Sequence, residues 1–359
     1  MKILILANND VGLYQFRREL IEVLTKENNV SIALPYGDLV EPLKEKCTFF
    51  DTPMDRRGMN PLKDIKLFMQ YRRLLRSEKP DLVITYTIKP NIYGGIASRM
   101  RKIPYAVNIT GLGTAFQKKG IMLTVVKVLY KLALKKAKVV FFENVENMQT
   151  MVSMGLMHEE RCCLLNGAGV NLDAYRAQWY PEDNECTRFL FVGRVMAEKG
   201  IDELIEATRR LRADGVSCSL DVVGGLEDNY KKTLEKCVAE GWLNYHGYQK
   251  DVKPFINNCH CFVLPSWHEG MANTNLECAA SARPIITSNI HGCKEAVIDG
   301  ESGFLCEKQN VDSLYSAMKK LVSLSHNERA EMGARGRAHM EKEFDKYKVV
   351  NNTLERLIP

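Results

Sequence analysis

Short apolar runs separated by longer amphipathic stretches recur through the chain. In the first half the runs are Ile3 to Leu6, Val30 to Leu34, Leu82 to Thr85, Tyr105 to Ile109 and Val139 to Phe142, with helical stretches between them. Strands covered on both faces read as near-continuous hydrophobic segments, so this pattern predicts a parallel sheet with helices wound on both sides. The second half repeats it. Strands are predicted at Phe189 to Val192, Ser219 to Val223, Tyr245 to His246, Cys261 to Leu264 and Ile285 to Thr287, and helices at Asp202 to Arg212 and Asn229 to Glu240. The expected fold class is α/β, with two Rossmann-like, doubly wound domains.

Between the halves, Asn166 to Glu185 has the glycine, proline and polar content of a linker. The expected organisation is a first domain over 1–170, the linker 166–185 and a second domain over 186–340, with a tail over 343–359. Ligands of open α/β sheets bind outside the carboxyl ends of the strands, so two such sheets facing each other would share a central cleft. A chain of 359 residues with 45% hydrophobic content is long enough for two separate cores.

No apolar run approaches the roughly 20 residues of a spanning helix, and the opening M-K-I-L-I-L-A-N-N-D turns polar too soon for a signal peptide. A cytosolic protein is the expectation. Eleven cysteines lie mostly in apolar surroundings, and the close groups Cys162-Cys163 and Cys259-His260-Cys261 have no zinc spacing. They read as small buried apolar residues, and no metal is expected. The net charge of +6 is mild, and no nucleic-acid partner is expected.

Candidate chemistry concentrates between Trp267 and Pro284, W-H-E-G-M-A-N-T-N-L-E-C-A-A-S-A-R-P. A strand ending at Ser266 and a helix over Asn273 to Ala282, capped by Asn273 or Thr274, place Glu269 on a strand-end loop and Glu277 about one turn into the helix. The first helical amides, around Asn273, Thr274 and Asn275, suit a diphosphate. Upstream, F-L-F-V-G-R-V-M-A-E-K-G (Phe189 to Gly200) predicts another strand and turn, with Arg194 and Lys199 leaving the strand end beside Gly193. These two cations suit the same diphosphate. Taken alone, the two glutamates read sooner as a solvated loop residue and an exposed helix charge, and the Arg194/Lys199 segment in register reverses that preference. For Arg194 and Lys199 the lesser alternative is a salt-bridged helix entrance beside Glu198 and Asp202.

The ordered set resembles a retaining glycosyltransferase of the large bacterial family 4, with the GT-B fold of two Rossmann-like domains. The family's two glutamates separated by seven residues match Glu269 and Glu277, and its G-R-x-x-x-x-K-G segment matches Gly193 to Gly200. P-S-W-H-E-G (Pro265 to Gly270), G-C-K-E-A-V-I-D-G-E-S-G-F-L (Gly292 to Leu305) and the terminal E-F-D-K-Y agree, so the resemblance spans the chain. It implies that the tail over 343–359 is a closing helix that crosses back to the first domain.

Glycosyl transfer puts positive charge on the sugar and negative charge on the leaving diphosphate, which Arg194, Lys199 and the helix amides can stabilise without a metal. No convincing Asp-x-Asp motif is present. The resemblance implies a UDP-sugar donor, transfer of a hexose or N-acetylhexosamine with retention, and front-face attack in which the leaving phosphate accepts the acceptor's proton. Glu277 would hold the ribose hydroxyls and Glu269 would lie near the transferred sugar. Backbone near Gly247, Tyr248 and Gln249, with Val223 and Gly224 alongside, would form the base pocket.

The first domain would hold the acceptor. Its candidate residues are Gly12, Tyr14 and Arg17 in A-N-N-D-V-G-L-Y-Q-F-R, Lys89 in T-Y-T-I-K-P-N-I-Y-G, and Thr110 and Gly111 after the strand at Tyr105. Many family members carry a glycine pair in the first of these loops, where this chain has only Gly12. Of the histidines, His246 and His291 read as structural and His268, beside Glu269, as a further candidate. Trp179 and Tyr180 read as packing or hinge residues.

Lys127, Lys131, Lys135 and Lys138, at steps of four, four and three, predict one basic stripe on a helix whose other faces are dense in Val, Leu, Ile and Met. Such a helix can lie against an anionic bilayer, where a polyprenyl-diphosphate-linked acceptor is found. An ordinary outer helix with one solvated face is the plain alternative. By resemblance, Y-x-F-R (Tyr14 to Arg17) and G-L-G (Gly111 to Gly113) point to glycan assembly on undecaprenyl diphosphate. The expected protein is a UDP-sugar-dependent transferase, cytoplasmic and peripheral at the inner face of the membrane. Its rivals are a transferase with a soluble acceptor, a non-catalytic nucleotide-binding module, and a glycoside hydrolase using Glu269 and Glu277. The last leaves Arg194 and Lys199 without an anionic leaving group.

Overall fold

A computed structural model describes the chain apart from residues 56, 57, 59, 114, 115, 117–119, 183–185, 228 and 359. The chain divides into two compact units, Met1–Ala168 with Tyr347–Pro359, and Gly169–Lys346.

The first unit is built on seven parallel strands: β1 (Lys2–Leu6), β2 (Asn29–Leu34), β3 (Thr48–Asp51), β4 (Leu82–Tyr86), β5 (Tyr105–Ile109), β6 (Val139–Phe142) and β7 (Cys162–Leu164). Their order across the sheet is β3-β2-β1-β4-β5-β6-β7. Each predicted apolar run of this half is one of these strands. The two without such a run, β3 and β7, lie at the sheet edges, where partial exposure leaves only T-F-F-D and C-C-L as the signal.

Successive side chains of β1 feed opposite faces. Ile3 and Ile5 join Leu13, Leu20, Ile21 and Leu24 of the helix Asp10–Glu27 on one side, while Leu4 and Leu6 join Tyr71, Tyr105 and Tyr130 on the other. The last helix, Lys346–Leu357, adds Val349, Val350 and Leu357 to the Ile3 face. It begins later than Glu343, which ends the preceding helix His326–Glu343.

The helix predicted under the lysine stripe is Ile121–Leu134, and it stops short of the fourth lysine. Its last turn is closed by tertiary partners. The Tyr105 hydroxyl donates to the Ala133 carbonyl (2.5 Å) and accepts the Lys136 N–H (3.3 Å), and Arg161 donates to the Lys135 carbonyl (2.7 Å). Lys138 lies beyond the helix, where its N–H enters the sheet against Tyr105 O and its Nζ donates to the Leu357 carbonyl (2.9 Å). The single four-lysine stripe is therefore corrected. The helix carries Lys127 and Lys131, Lys135 caps it, and its solvent face presents Met122, Val125, Val128 and Leu132. No described helix is long and apolar enough to cross a membrane.

The second unit holds six parallel strands: β8 (Thr187–Val192), β9 (Cys218–Val223), β10 (Leu243–Tyr245), β11 (Cys261–Leu264), β12 (Ile285–Ser288) and β13 (Gly303–Cys306). Their order is β10-β9-β8-β11-β12-β13. β10 starts two residues before the predicted strand, and β13, at an edge, was not anticipated. Much of the expected linker is part of this unit. Arg283, fully buried, donates to the carbonyls of Gln178 and Trp179 as well as Ile256 and Asn257, and the Tyr180 hydroxyl donates to the His260 carbonyl (2.8 Å). The remaining linker residues 183–185 lie outside the described residues.

In each sheet the strand order reverses next to its first strand, between β1 and β4 and between β8 and β11. Ligands of doubly wound sheets bind at such switch points, outside the carboxyl ends.

Candidate functional site

The carboxyl ends of β8, β9 and β10 are tied by backbone. The Gly193 N–H donates to Val223 O (3.0 Å) and the Gly224 N–H to Gly247 O (2.8 Å). Gly224 has φ 147° and a Cβ there would stand 1.8 Å from the Gly193 carbonyl oxygen, so the two strand ends meet only through glycine. Beside them Arg194 is exposed, 3.6 Å from Glu227, and Tyr248 is exposed on the loop after β10.

The segments containing Lys199 and Glu269 are stitched together at the switch point. Gly200, at φ 73°, lies so close to β11's exit that a Cβ would sit 2.1 Å from Pro265 O. The Trp267 N–H donates to Glu198 O (3.0 Å) and its indole to Glu203 Oε1 (3.0 Å). This geometry delivers Lys199 Nζ to Glu269 Oε1, which also accepts from Ser266 Oγ (2.8 Å). The Lys199 and Glu269 side chains are 19% and 12% exposed, so the pair is mostly screened from water yet still reachable. The His268 ring stands 3.9 Å from Glu198.

Glu269's loop is anchored a second time, because the Ala272 N–H donates to Gly292 O (2.7 Å) and the Gly292 N–H to Glu295 Oε2 (2.7 Å). His291 completes this anchor through Glu295 Oε1 (2.8 Å) and is structural. That tether makes Ala272 the residue before the helix Asn273–Ala280, which has no side-chain cap. The predicted Asn273 or Thr274 cap is corrected: both are the first helical residues. Asn275 is corrected too, because its N–H already donates to Ala272 O (2.9 Å) and its fully buried side chain bonds Thr287 (3.1 Å). The Asn275 amide is thus already spent inside the molecule.

Glu277 follows on the same helix, half-buried. Burial pushes its carboxyl up to about 7, against a hydrogen bond from the Tyr175 hydroxyl and the charges of Lys346 and Lys253. The Tyr175 hydroxyl is itself pushed well up, by burial first and by Glu277 second. Tyr175 lay in the expected linker and Glu227 outside every recognised motif, whereas Ser266 and Glu295 lay within recognised motifs without being singled out. His246 is held by Asp221 (2.7 Å) and tilts against Phe255, as a structural residue.

At the carboxyl end of the first sheet, Asn9 caps the helix Asp10–Glu27 by accepting the Gly12 N–H (2.6 Å). Tyr14 is half-buried beneath the Arg18 guanidinium, 5.3 Å from its ring centre. Arg17 is corrected from a loop-end contact to a buried ion-pair partner. It lies within the helix, is 9% exposed, donates to Glu143 Oε1 (2.5 Å) and covers the Tyr86 ring.

Lys89 is closed by Asp64 (2.6 Å), which also accepts from Tyr93 (3.0 Å). A buried triangle of Thr85, Asn91 and Asn108 fixes the turn that carries it. Thr110 and Gly111 are half-buried beyond β5. Among the described residues no group of three or more His, Cys, Asp or Glu side chains is placed to hold a metal ion.

Two family models match the chain: glycosyl transferase 4-like over residues 2–144, and glycosyl transferases group 1 over 177–339. The N,N'-diacetylbacillosaminyl-diphospho-undecaprenol alpha-1,3-N-acetylgalactosaminyltransferase of Campylobacter jejuni is 26% identical, over 90% of this chain and 89% of its own length. The UDP-Gal:alpha-D-GlcNAc-diphosphoundecaprenol alpha-1,3-galactosyltransferase of Escherichia coli is 26% identical over 80% and 78%. Among solved structures, HepE of Anabaena in complex with UDP and glucose has a TM-score of 0.81 at 17% identity, covering 99% of both chains. Two doubly wound sheets, their strand-end loops and these matches lead to one assignment: the chain belongs to the group 1, 4-like glycosyltransferases and has the GT-B fold.

Proposed function

We propose that the protein transfers a hexose or N-acetylhexosamine from a UDP-sugar to an undecaprenyl-diphosphate-linked saccharide, with retention and without a metal ion, in polysaccharide or glycan assembly. The observation that carries this reading is the Lys199, Glu269 and Ser266 cluster at the switch point of β8 and β11. The Campylobacter and Escherichia relatives support it through acceptors named as diphospho-undecaprenol glycans, and the Anabaena neighbour through its UDP.

In this mechanism Lys199, exposed Arg194 and the Asn273 and Thr274 amides stabilise the charge that develops on the leaving diphosphate. Lys199 has three N–H donors and gives one to Glu269, leaving two for phosphate oxygens. Glu269 lies beside the transferred sugar. Glu277, as a carboxylate, accepts from the ribose hydroxyls, and the backbone from Gly224 to Tyr248 receives the base. Gly12, Lys89, Thr110 and Gly111 of the first unit serve the acceptor, with that unit resting on the inner face of the membrane.

Titration calorimetry of UDP, GDP, ADP and NAD in EDTA tests the donor site. UDP is expected to bind selectively, with binding lost in Glu277→Ala and Arg194→Ala. A strict requirement for a divalent ion, or preference for NAD, would overturn the assignment.

A further inference from the structure

We infer that the first unit carries a binding site for the headgroup of an anionic phospholipid at the amino ends of its strands. A pocket of about 840 Å³ opens there, walled by Arg99, Lys102, Lys135, Lys136 and Lys138 around Tyr105. Lys102 precedes β5, Lys138 precedes β6, and Arg99 is in the last turn of the helix Gly95–Met100. The cations converge because that helix and Ile121–Leu134 both end beside the entry of β5. The Tyr105 hydroxyl holds the second one there through Ala133 O and the Lys136 N–H.

Among the described residues, no acidic side chain forms an ion pair with Arg99, Lys102, Lys135 or Lys136. The Lys138 ammonium donates to the Leu357 carbonyl. Like charges gathered in one concavity repel one another and raise the local concentration of anions. A phosphate group matches this set, since a guanidinium binds it bidentately and ammonium groups add point charges.

The surface leading to the pocket decides between a free phosphate and a lipid. Met122, Val125, Val128 and Leu132 are exposed along the helix at steps of three or four, and the helix ends at Leu134, just before Lys135 and Lys136 of the pocket wall. Met100, exposed, stands between Arg99 and Arg101. An apolar face that ends in a phosphate-binding pocket fits a bilayer surface, with the side chains among acyl chains and the cations on headgroups. β5 separates this pocket from Thr110 by about 16 Å at the usual strand rise, so it is distinct from the acceptor residues. The inference rests on the membrane contact proposed above but not on the donor assignment.

The test is co-sedimentation of the full chain with vesicles of phosphatidylcholine alone and with about 30% phosphatidylglycerol. The protein is expected to partition to the anionic vesicles. Lys102→Gln with Lys136→Gln lowers this partitioning about 25-fold, at about fivefold per basic residue. Val128→Ser with Leu132→Ser also lowers it, whereas Lys231→Gln with Lys232→Gln, in the second unit, leaves it unchanged. UDP titration is unaltered in all three, which separates failure here from failure of the donor site. Equal losses in the Lys231/Lys232 variant would mean diffuse charge and overturn the pocket. Release by millimolar inorganic phosphate together with no effect of the Val128/Leu132 change would make it a free-anion site and overturn the lipid assignment.

Discussion

At the carboxyl end of the second sheet, Lys199 meets Glu269 on a loop stitched by backbone hydrogen bonds, and Arg194 stands beside them in solvent. At the carboxyl end of the first sheet, Arg17 and Lys89 are each closed by an acid from elsewhere in that unit, Glu143 and Asp64, and Arg17 is buried. Both ends have the same ingredients: parallel strands, a switch point and a cation just past the strand. They differ in how tightly the cations are held. In the second unit Lys199 and Arg194 also face acids, Glu269 and Glu227, but the Arg194 pair is long, at 3.6 Å, and the Arg194 side chain is 47% exposed. In the first, both pairs are short and enclosed, and the Arg17 and Glu143 side chains are each 10% exposed.

The sharpest way to break this contrast is at Arg17. Arg17→Ala strands the Glu143 carboxylate and is expected to cost about 3–5 kcal/mol in urea unfolding, while Arg17→Met with Glu143→Leu recovers most of it. A single-variant cost below about 1 kcal/mol would mean that water screens the pair and the two strand ends are alike. Next in size, Lys199→Ala is expected to lower turnover of a UDP-sugar about 10²–10³-fold, as removal of a charge-stabilising donor does. An unchanged kcat would remove Lys199 from the chemistry.

Glu277 sharpens the comparison through pH. With its carboxyl pushed up to about 7, the ionised fraction rises from about a tenth at pH 6 to about nine tenths at pH 8, so UDP affinity should increase about ninefold across that range. Glu277→Gln should bind more weakly with a flat profile, and a wild-type profile that is already flat would exclude the ribose role. The same shift has a stability sign. The folded state holds this proton above the ordinary carboxyl range, so the fold loses stability from this group as pH rises from about 4.5 through 7, and Glu277→Gln removes that loss.

The smallest effect is expected at Arg194. Its pair with Glu227 is exposed, so Arg194→Ala should change stability by no more than about 0.5 kcal/mol, even as UDP affinity falls. A larger stability loss would place Arg194 with Arg17 as a structural ion-pair residue.

The strands legible in full lie inside their sheets and are mostly apolar, and of the edge strands only β10 was found, in part. β3, β7 and β13 were not, because an edge strand needs only part of that pattern. Lys199, Glu269 and Glu277 were legible because each lies in a short local motif. Tyr175, Glu143 and Asp64 were not, because each acts on a partner in another element, at a position with no rule of its own. The lysine spacing misled for a related reason: it describes one continuous helix, and Tyr105 and the entry of β6 end that helix at Leu134.

The sequence by itself determined the two doubly wound sheets, the loops at their switch points and the family, because hydrophobic periodicity and short motifs are local and survive without coordinates. Only the tertiary structure decided which cations are compensated, which amides of the Asn273 helix are open, that Glu277 is held by Tyr175, and that five basic residues wall one pocket. Those outcomes depend on burial and on partners distant in sequence, and charge and hydrogen bonding take their strength from such surroundings rather than from the residue type.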